Sequence, residues 1–532
     1  MMTKYIKIMA LCLFVTLTSC SDFLQVEPTN GIRKDNFYRT PSEVDNALTG
    51  LYGSLKPLPK YLFVMSEIRS DNVWVLTDTK QNDYADVATF NANGLLTDNI
   101  VSTCWSDYFN VVAAANTLLE KIEGVAFTNA AAKKQYIAEA RFIRALAYFD
   151  LVRFFGRVPL SLKTLTTDEA FRLGQSESSD IYSKGIVPDL QYAIEHLAET
   201  AFDYQNTPHT ERVSQIAAKA LLGKVYLTMA GFPLNDSEKK TLAKSLFKEV
   251  IDYAETNNKY WAADMNEWNH MWIHENDNKY FIFEVQYIIH AGEGNPMVTL
   301  TAPSNPGLQW CANNLMTGTH LYVEKGLQTH FIERDNILNQ YLDQRADGTI
   351  NLIETTDEDG NVISVSSGNT FYVKFFESRV KRAKLDYYDM DAQIIDRTYW
   401  PQNYPILRLE DIMLLYAECV GNTDEGYRMV NSIRQRAGLP ALLGLSDDDF
   451  QKAVADERRY ELAEEGHRWF DLVRHNKYVE ILRDMFINDD TTADGTYANF
   501  AKRITEDMFL YPIPQSQIEV RKGLYQQNKG YE

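Results

Sequence analysis

The 532-residue chain carries 53 lysine and arginine residues against 73 aspartates and glutamates, a formal net charge of −20, which argues against nucleic acid or anionic lipid surfaces as partners, since both require clustered cations. Its length allows a large buried core and predicts more than one lobe, or one large elaborated domain. Aromatic residues make up 12% of the chain, enough for some rings to form a stacking surface while most serve the core.

Lys4 and Lys7 precede a short apolar run, Ile8 to Leu17, with the length of a signal-peptide core rather than of a permanent membrane helix. Leu17, Thr18 and Ser19 before Cys20 resemble a lipobox, the motif at which bacterial lipoproteins are cut and diacylated on the cysteine. Residues 1–19 are therefore expected to be a signal peptide, Cys20 the lipidation site, and 20–39 an anchor and tether. The bland reading is an ordinary secretory peptide with an incidental cysteine. Cys104, Cys311 and Cys419 are odd in number and far apart, so they are expected to be small buried hydrophobes rather than a disulfide framework.

"TPSEVDNALTGLYGSL" opens a helix, with Thr40 as N-cap, Pro41 at the first position and Glu43 closing a capping box. Helical spacing predicts pairs at 104–122 with 131–155, at 180–200 with 212–230, and at 406–420 with 424–437, plus a helix near 239–255. Pro188 should kink or interrupt its helix, and Gly438 should end another as a left-handed cap. "AEARF" at 138–142 fits the small-x3-aromatic spacing of a tetratricopeptide hairpin. The predicted fold is mainly α: a tetratricopeptide-like helix-hairpin stack, over 40–255 and 401–532, packed against a loop-rich irregular lobe with short β-hairpins, over 256–400. In that lobe "INLIETTDEDGNVISVSSGNTFYVKFF" predicts strands around a turn at Asp359 and Gly360.

Catalytic signatures are absent: no G-x-S-x-G elbow, no phosphate-cradling G-x-x-x-x-G-K-[ST] and no H-E-x-x-H. His270 and His274 have the i, i+4 spacing of a zinc pair but lack a third ligand, and "DEDGN" at 357–361 places its glycine too early for a calcium loop. No metal or cofactor is expected. Trp105 and Trp469 fall on helical core faces, whereas Trp74, Trp261, Trp268, Trp272 and Trp310 lie in irregular segments where an indole can stay exposed to stack on a sugar's C–H face. The stretch "DERRYELAEEGHRWFDLVRH", Asp456 to His475, sets Glu464 and Glu465 beside His467 and Arg468 and suggests acid/base chemistry. Adjacent glutamates on a helix point about 100° apart and cannot form a retaining glycosidase pair by themselves. The competing reading is one helix stitched by Arg458–Glu461, Glu464–Arg468 and Asp471–His475, with a bend or close packing at Gly466.

Several segments in order, "AEARFIRALAYFDLVRFFGRVPL", "QIAAKALLGKVYLTMAG", "YPILRLEDIMLLYAECVG", "VNSIRQRAGLP", the 456–475 stretch and "LYPIPQSQIEVRKGLYQQNKGYE", resemble the SusD/RagB family of nutrient-binding outer-membrane lipoproteins over nearly the whole mature chain. Lys529 departs from the family's usual Gln-Asn-Pro-Gly-Tyr ending. The resemblance implies a non-catalytic protein, anchored in the outer membrane and facing the exterior, that captures an oligosaccharide or polysaccharide and caps a TonB-dependent, SusC-like transporter. Peptide capture is the alternative within the family, and a surface glycoside hydrolase the alternative outside it. An aromatic soon after a "DN" element recurs in family sites, so "SDNVW" points to Trp74 with Asp71 and Asn72 as hydrogen-bond partners; Trp310 is the second ring expected, and Trp268 and Trp272 complete the candidates.

Overall fold

A computed structural model describes residues 37–75, 84–272, 279–288, 292–301, 321–335, 340–350, 354–356, 362–365, 370, 372–375, 402–488 and 495–532. The signal segment, Cys20, His274, Trp310, Cys311 and the turn at Asp359 and Gly360 lie outside these residues.

Helix α1 (Pro41–Gly53) starts as its sequence predicts. The Thr40 hydroxyl accepts from the Glu43 amide at 3.3 Å while the Glu43 carboxylate accepts from the Thr40 amide at 3.0 Å, so two otherwise orphaned donors are satisfied reciprocally. It packs on α2 (Asn99–Lys121) and α3 (Ala130–Phe155), which are capped by Asp98 and Asn129. The expected helix over 180–200 is divided: a π-helical turn, Ile181–Ile186, leads into α4 (Val187–His196) with Pro188 in its first turn. The missing proline N–H costs nothing there, which is why the wider turn falls just before it. Then come α5 (Gln215–Ala230) and α6 (Lys239–Asn257).

Each helix from α2 to α6 packs on the next, and the series resumes after the middle of the chain, with α6 against α9 (Leu409–Val420), and α9 against α10 (Asp424–Arg436) and α11 (Asp447–Glu461). The stack is thus shared between both halves of the sequence. Gly438, at φ +78°, closes the α10 end as predicted. Between the halves lie α7 (Met265–Met271) and α8 (Lys325–Ile332) and short strands. Strands β1 (Val73–Val75) and β3 (Leu321–Val323) pair antiparallel, β2 (Phe281–Val285) pairs with β6 (Tyr404–Arg408), and β4 (Glu354–Thr356) with β5 (Val362–Val365) flank the predicted turn. Residues 406–408, expected to start a helix, are strand; α9 begins only at Leu409 because Tyr404–Arg408 is recruited by β2. The chain closes through α12 (Arg468–Arg474), α13 (Tyr478–Asn488) and α14 (Thr496–Ala501). One continuous hydrophobic core runs from Val44 to Tyr531, and Cys104, Trp105 and Trp469 are buried in it as expected. Cys419 is half-buried and, like Cys104, a free thiol. Among the described residues no helix is long and apolar enough to cross a membrane.

Candidate ligand-binding site

The 456–475 stretch is not one helix. α11 ends at Glu461, a turn follows in which Glu464 and Gly466 take φ of +73° and +77°, and α12 begins at Arg468. A Cβ at Gly466 would stand 2.7 Å from the Leu62 Cβ, so only glycine fits this turn. The expected neighbour pairs are replaced by distant partners, because the turn faces the interior. Glu461 accepts from Arg345, Arg408 and Arg436 at 2.7–2.8 Å. Glu465 binds Arg408 at 2.6 Å and Lys374 at 2.8 Å. Arg458 holds Asp411 at 2.8 Å and Asp471 at 2.9 Å, and His475 faces Glu418 at 3.4 Å. Glu464 takes the Lys374 amide at 3.0 Å. Burial alone would push the Glu461 carboxyl up, but Arg436, Arg408 and Arg345 hold it well below the usual carboxylate range; at Glu464 burial wins and its carboxyl is pushed well above that range. Arg345, Lys374, Arg408, Glu461 and Glu465 are buried and spent on one another.

Trp268 and Trp272 wall in this cluster instead of facing a ligand. Trp268 is fully buried and donates its indole N–H to Glu461 at 3.2 Å. Trp272, 4% exposed, packs on Trp268, Phe281 and Phe375, with the Lys374 ammonium 5.0 Å from its ring centre. A cation cluster in the interior needs polarisable walls, and the indoles supply them. Asp71 and Asn72 are likewise buried. Asp71 accepts from the Nε and Nη2 groups of Arg468, at 2.7 and 2.9 Å. Burial acts to raise its carboxyl, yet Arg459 and Arg468 hold it well below the usual carboxylate range. Asn72 donates to Glu67 at 2.6 Å and accepts from Arg459 at 3.0 Å. With their polar atoms committed, both residues build the site's support and offer a ligand no hydrogen bond.

Trp74 differs. It is half-buried and sits in β1 opposite Tyr322 of β3, also half-buried, while the flanking Val73 and Val323 point into the core. Opposite residues of an antiparallel pair share a face, so the Trp74 and Tyr322 side chains leave the ribbon on the same side, opposite to Val73 and Val323. Behind Trp74 stand Tyr497 of α14, with ring centres 4.5 Å apart, and Phe486 of α13 at 5.9 Å; the adjoining Ile487 is 56% exposed. Alternation in "LYV" could have pointed to Tyr322, whereas nothing local links residues 486 and 497 to 74. A groove of about 430 Å³ lies elsewhere, between α2, residues 159–173 and the C-terminal segment; of its rings, Trp105, Tyr148 and Tyr525 are almost wholly buried and Phe109 is half-buried. His270 is exposed on α7, and among the described residues no group of three potential ligands could hold a metal ion.

Two family models match the chain. One, described as SusD family, covers residues 309–531, and one described as starch-binding associating with outer membrane covers residues 22–227. A SusD-like protein from Formosa agariphila is 24% identical over 502 residues, 88% of this chain and 89% of that one. A SusD homologue from Bacteroides thetaiotaomicron superposes with a TM-score of 0.74 at 23% identity, over 93% of this chain and 97% of that chain. A laminarin-binding SusD-like protein gives 0.68 at 25% identity, over 93% of this chain and 100% of that chain.

Proposed function

The chain belongs to the SusD family, and from that premise we propose that it is a non-catalytic surface lipoprotein that captures an oligosaccharide or polysaccharide and passes it to a TonB-dependent, SusC-like transporter in the outer membrane. The observation that carries this reading is the half-buried Trp74–Tyr322 pair, with Tyr497 and Phe486 packed on Trp74, an aromatic cluster of the kind that offers a ring face to a sugar's C–H groups. A relative of the same fold binds laminarin, and the lipobox-like "LTSC" ending in Cys20 supports anchorage at a membrane surface. Trp310 belongs to the same assignment as a second ring, on its sequence context alone. The 256–400 lobe then contributes Tyr322 of β3 to the site, while the helical region at 40–255 contributes Trp74 and that at 401–532 contributes Phe486 and Tyr497. A hydrolytic role is disfavoured because Glu464 and Glu465 are both buried in the protein interior, Glu465 against Arg408 and Lys374.

Titration of the purified protein against laminarin, starch, other glycans and peptides tests the reading. A glycan should bind, Trp74→Ala should weaken it about tenfold, and prolonged incubation should release no reducing ends. Unchanged affinity in both Trp74→Ala and Trp310→Ala would remove the site assignment, and selective binding of peptides would replace the ligand class.

A further inference from the structure

The Trp74–Tyr322 pair rests on a ribbon with little stability of its own. β1 and β3 are three residues each, and an isolated two-stranded pair is marginal in water even with a tight turn joining it. Here the strands come from distant parts of the chain, so contacts from elsewhere must set their register. Arg459 provides them from α11. Its Nε donates to the Asn72 side-chain oxygen at 3.0 Å and lies 3.3 Å from the Asp71 carboxylate. The NH2 group donates to the Asp71 carbonyl and, at 2.7 Å, to the Glu324 carboxylate. Asp71 and Asn72 lead directly into β1, and Glu324 directly follows β3. The Glu324 amide also donates to the Asn72 carbonyl at 3.0 Å, and its carboxylate caps α8 through the Gly326 and Leu327 amides. One planar guanidinium therefore spans the entrance of one strand and the exit of the other, 388 and 135 residues away in sequence.

We infer that Arg459 is a positioning residue for ligand binding, fixing the register of β1 on β3 and with it the relation of the Trp74 and Tyr322 rings. This rests on those rings being the ligand wall. Arg459 would not touch the ligand: its side chain is largely buried behind the ribbon. The fork geometry matters, because a lysine ammonium is a single point on a flexible stem and cannot hold three acceptors in fixed directions.

The test has a ligand-free arm and a ligand arm. Opposed residues of an antiparallel pair have Cα atoms about 4.5–5.5 Å apart, within disulfide range, so the full chain with W74C and Y322C should cross-link under mild oxidation, read against the W74C single variant. Adding Arg459→Gln or Arg459→Lys should abolish most of that cross-link. In the chain with Trp74 and Tyr322 intact, the same substitutions should weaken laminarin, or whichever panel glycan the parent binds, about tenfold, with the thermal midpoint measured alongside. Glu324→Gln, which keeps a cap acceptor, should weaken both readouts less and in the same direction, and serves if the arginine variants do not fold. Undiminished cross-linking in these variants, or a drop in affinity that only follows loss of folded protein, overturns the inference, as does full rescue by lysine for the fork argument. Lost cross-linking with unchanged glycan affinity instead overturns the placement of the ligand on these rings.

Discussion

Glu461 is met by three guanidinium groups in the dry interior. Removing one member of such a cluster leaves uncompensated buried charge, so Glu461→Gln is expected to cost about 3–5 kcal/mol, measured as the fall in urea midpoint; an unshifted midpoint would mean the arginines find other partners. Trp268→Ala should cost a similar ~3–5 kcal/mol, yet leave glycan affinity of the folded fraction intact, the reverse of Trp74→Ala. That contrast separates two tryptophans that look alike in sequence. Both lie in irregular, polar surroundings, and composition alone gives no sign that one is fully buried over charge and the other only half-buried.

At the level of elements, the helices were largely legible. The α1 start, the α3 and α5 spans and the Gly438 cap follow from periodicity and capping chemistry local to each segment. The 456–475 stretch was misread because alternating charges look the same on a solvated helix as in a buried knot, and its partners Arg345, Lys374 and Arg408 lie 53 to 116 residues away. The candidate site was half legible: Trp74 stood beside a recognisable motif, but Tyr322, Phe486 and Tyr497 reach it only through the fold. The α1–α3 contact carries a pH signature. Glu139 of α3 accepts from the Tyr52 hydroxyl of α1 at 2.7 Å, and burial, only partly opposed by Arg212 and these hydrogen bonds, pushes its carboxyl from 4.5 up to about 7. A raised carboxyl favours folding in its protonated form. Its contribution is fully present below about pH 4.5 and is lost as pH rises through about 7, by ~3 kcal/mol at most. Thermal midpoints of the parent should fall across that window relative to Glu139→Gln, which cannot ionise; parallel profiles would refute the assignment.

Across the whole molecule, one core and one ionic cluster join segments from both ends and the middle of the chain. Unfolding by guanidinium should therefore give coincident transitions by tryptophan fluorescence and far-UV circular dichroism, and an earlier fluorescence step would show that the middle lobe opens alone. If Cys20 is the anchor, Cys20→Ala should move the protein from the membrane fraction to the soluble one. The link from Arg468 back to Asp71 crosses 397 residues and has a consequence in time. The segment bearing Trp74 leaves the ribosome early, yet what holds it in place is made only when synthesis is nearly complete. Such distant closures are slow to form. Until the residues around Arg468 have been made, the segment bearing Trp74 therefore lacks this tie to the rest of the molecule.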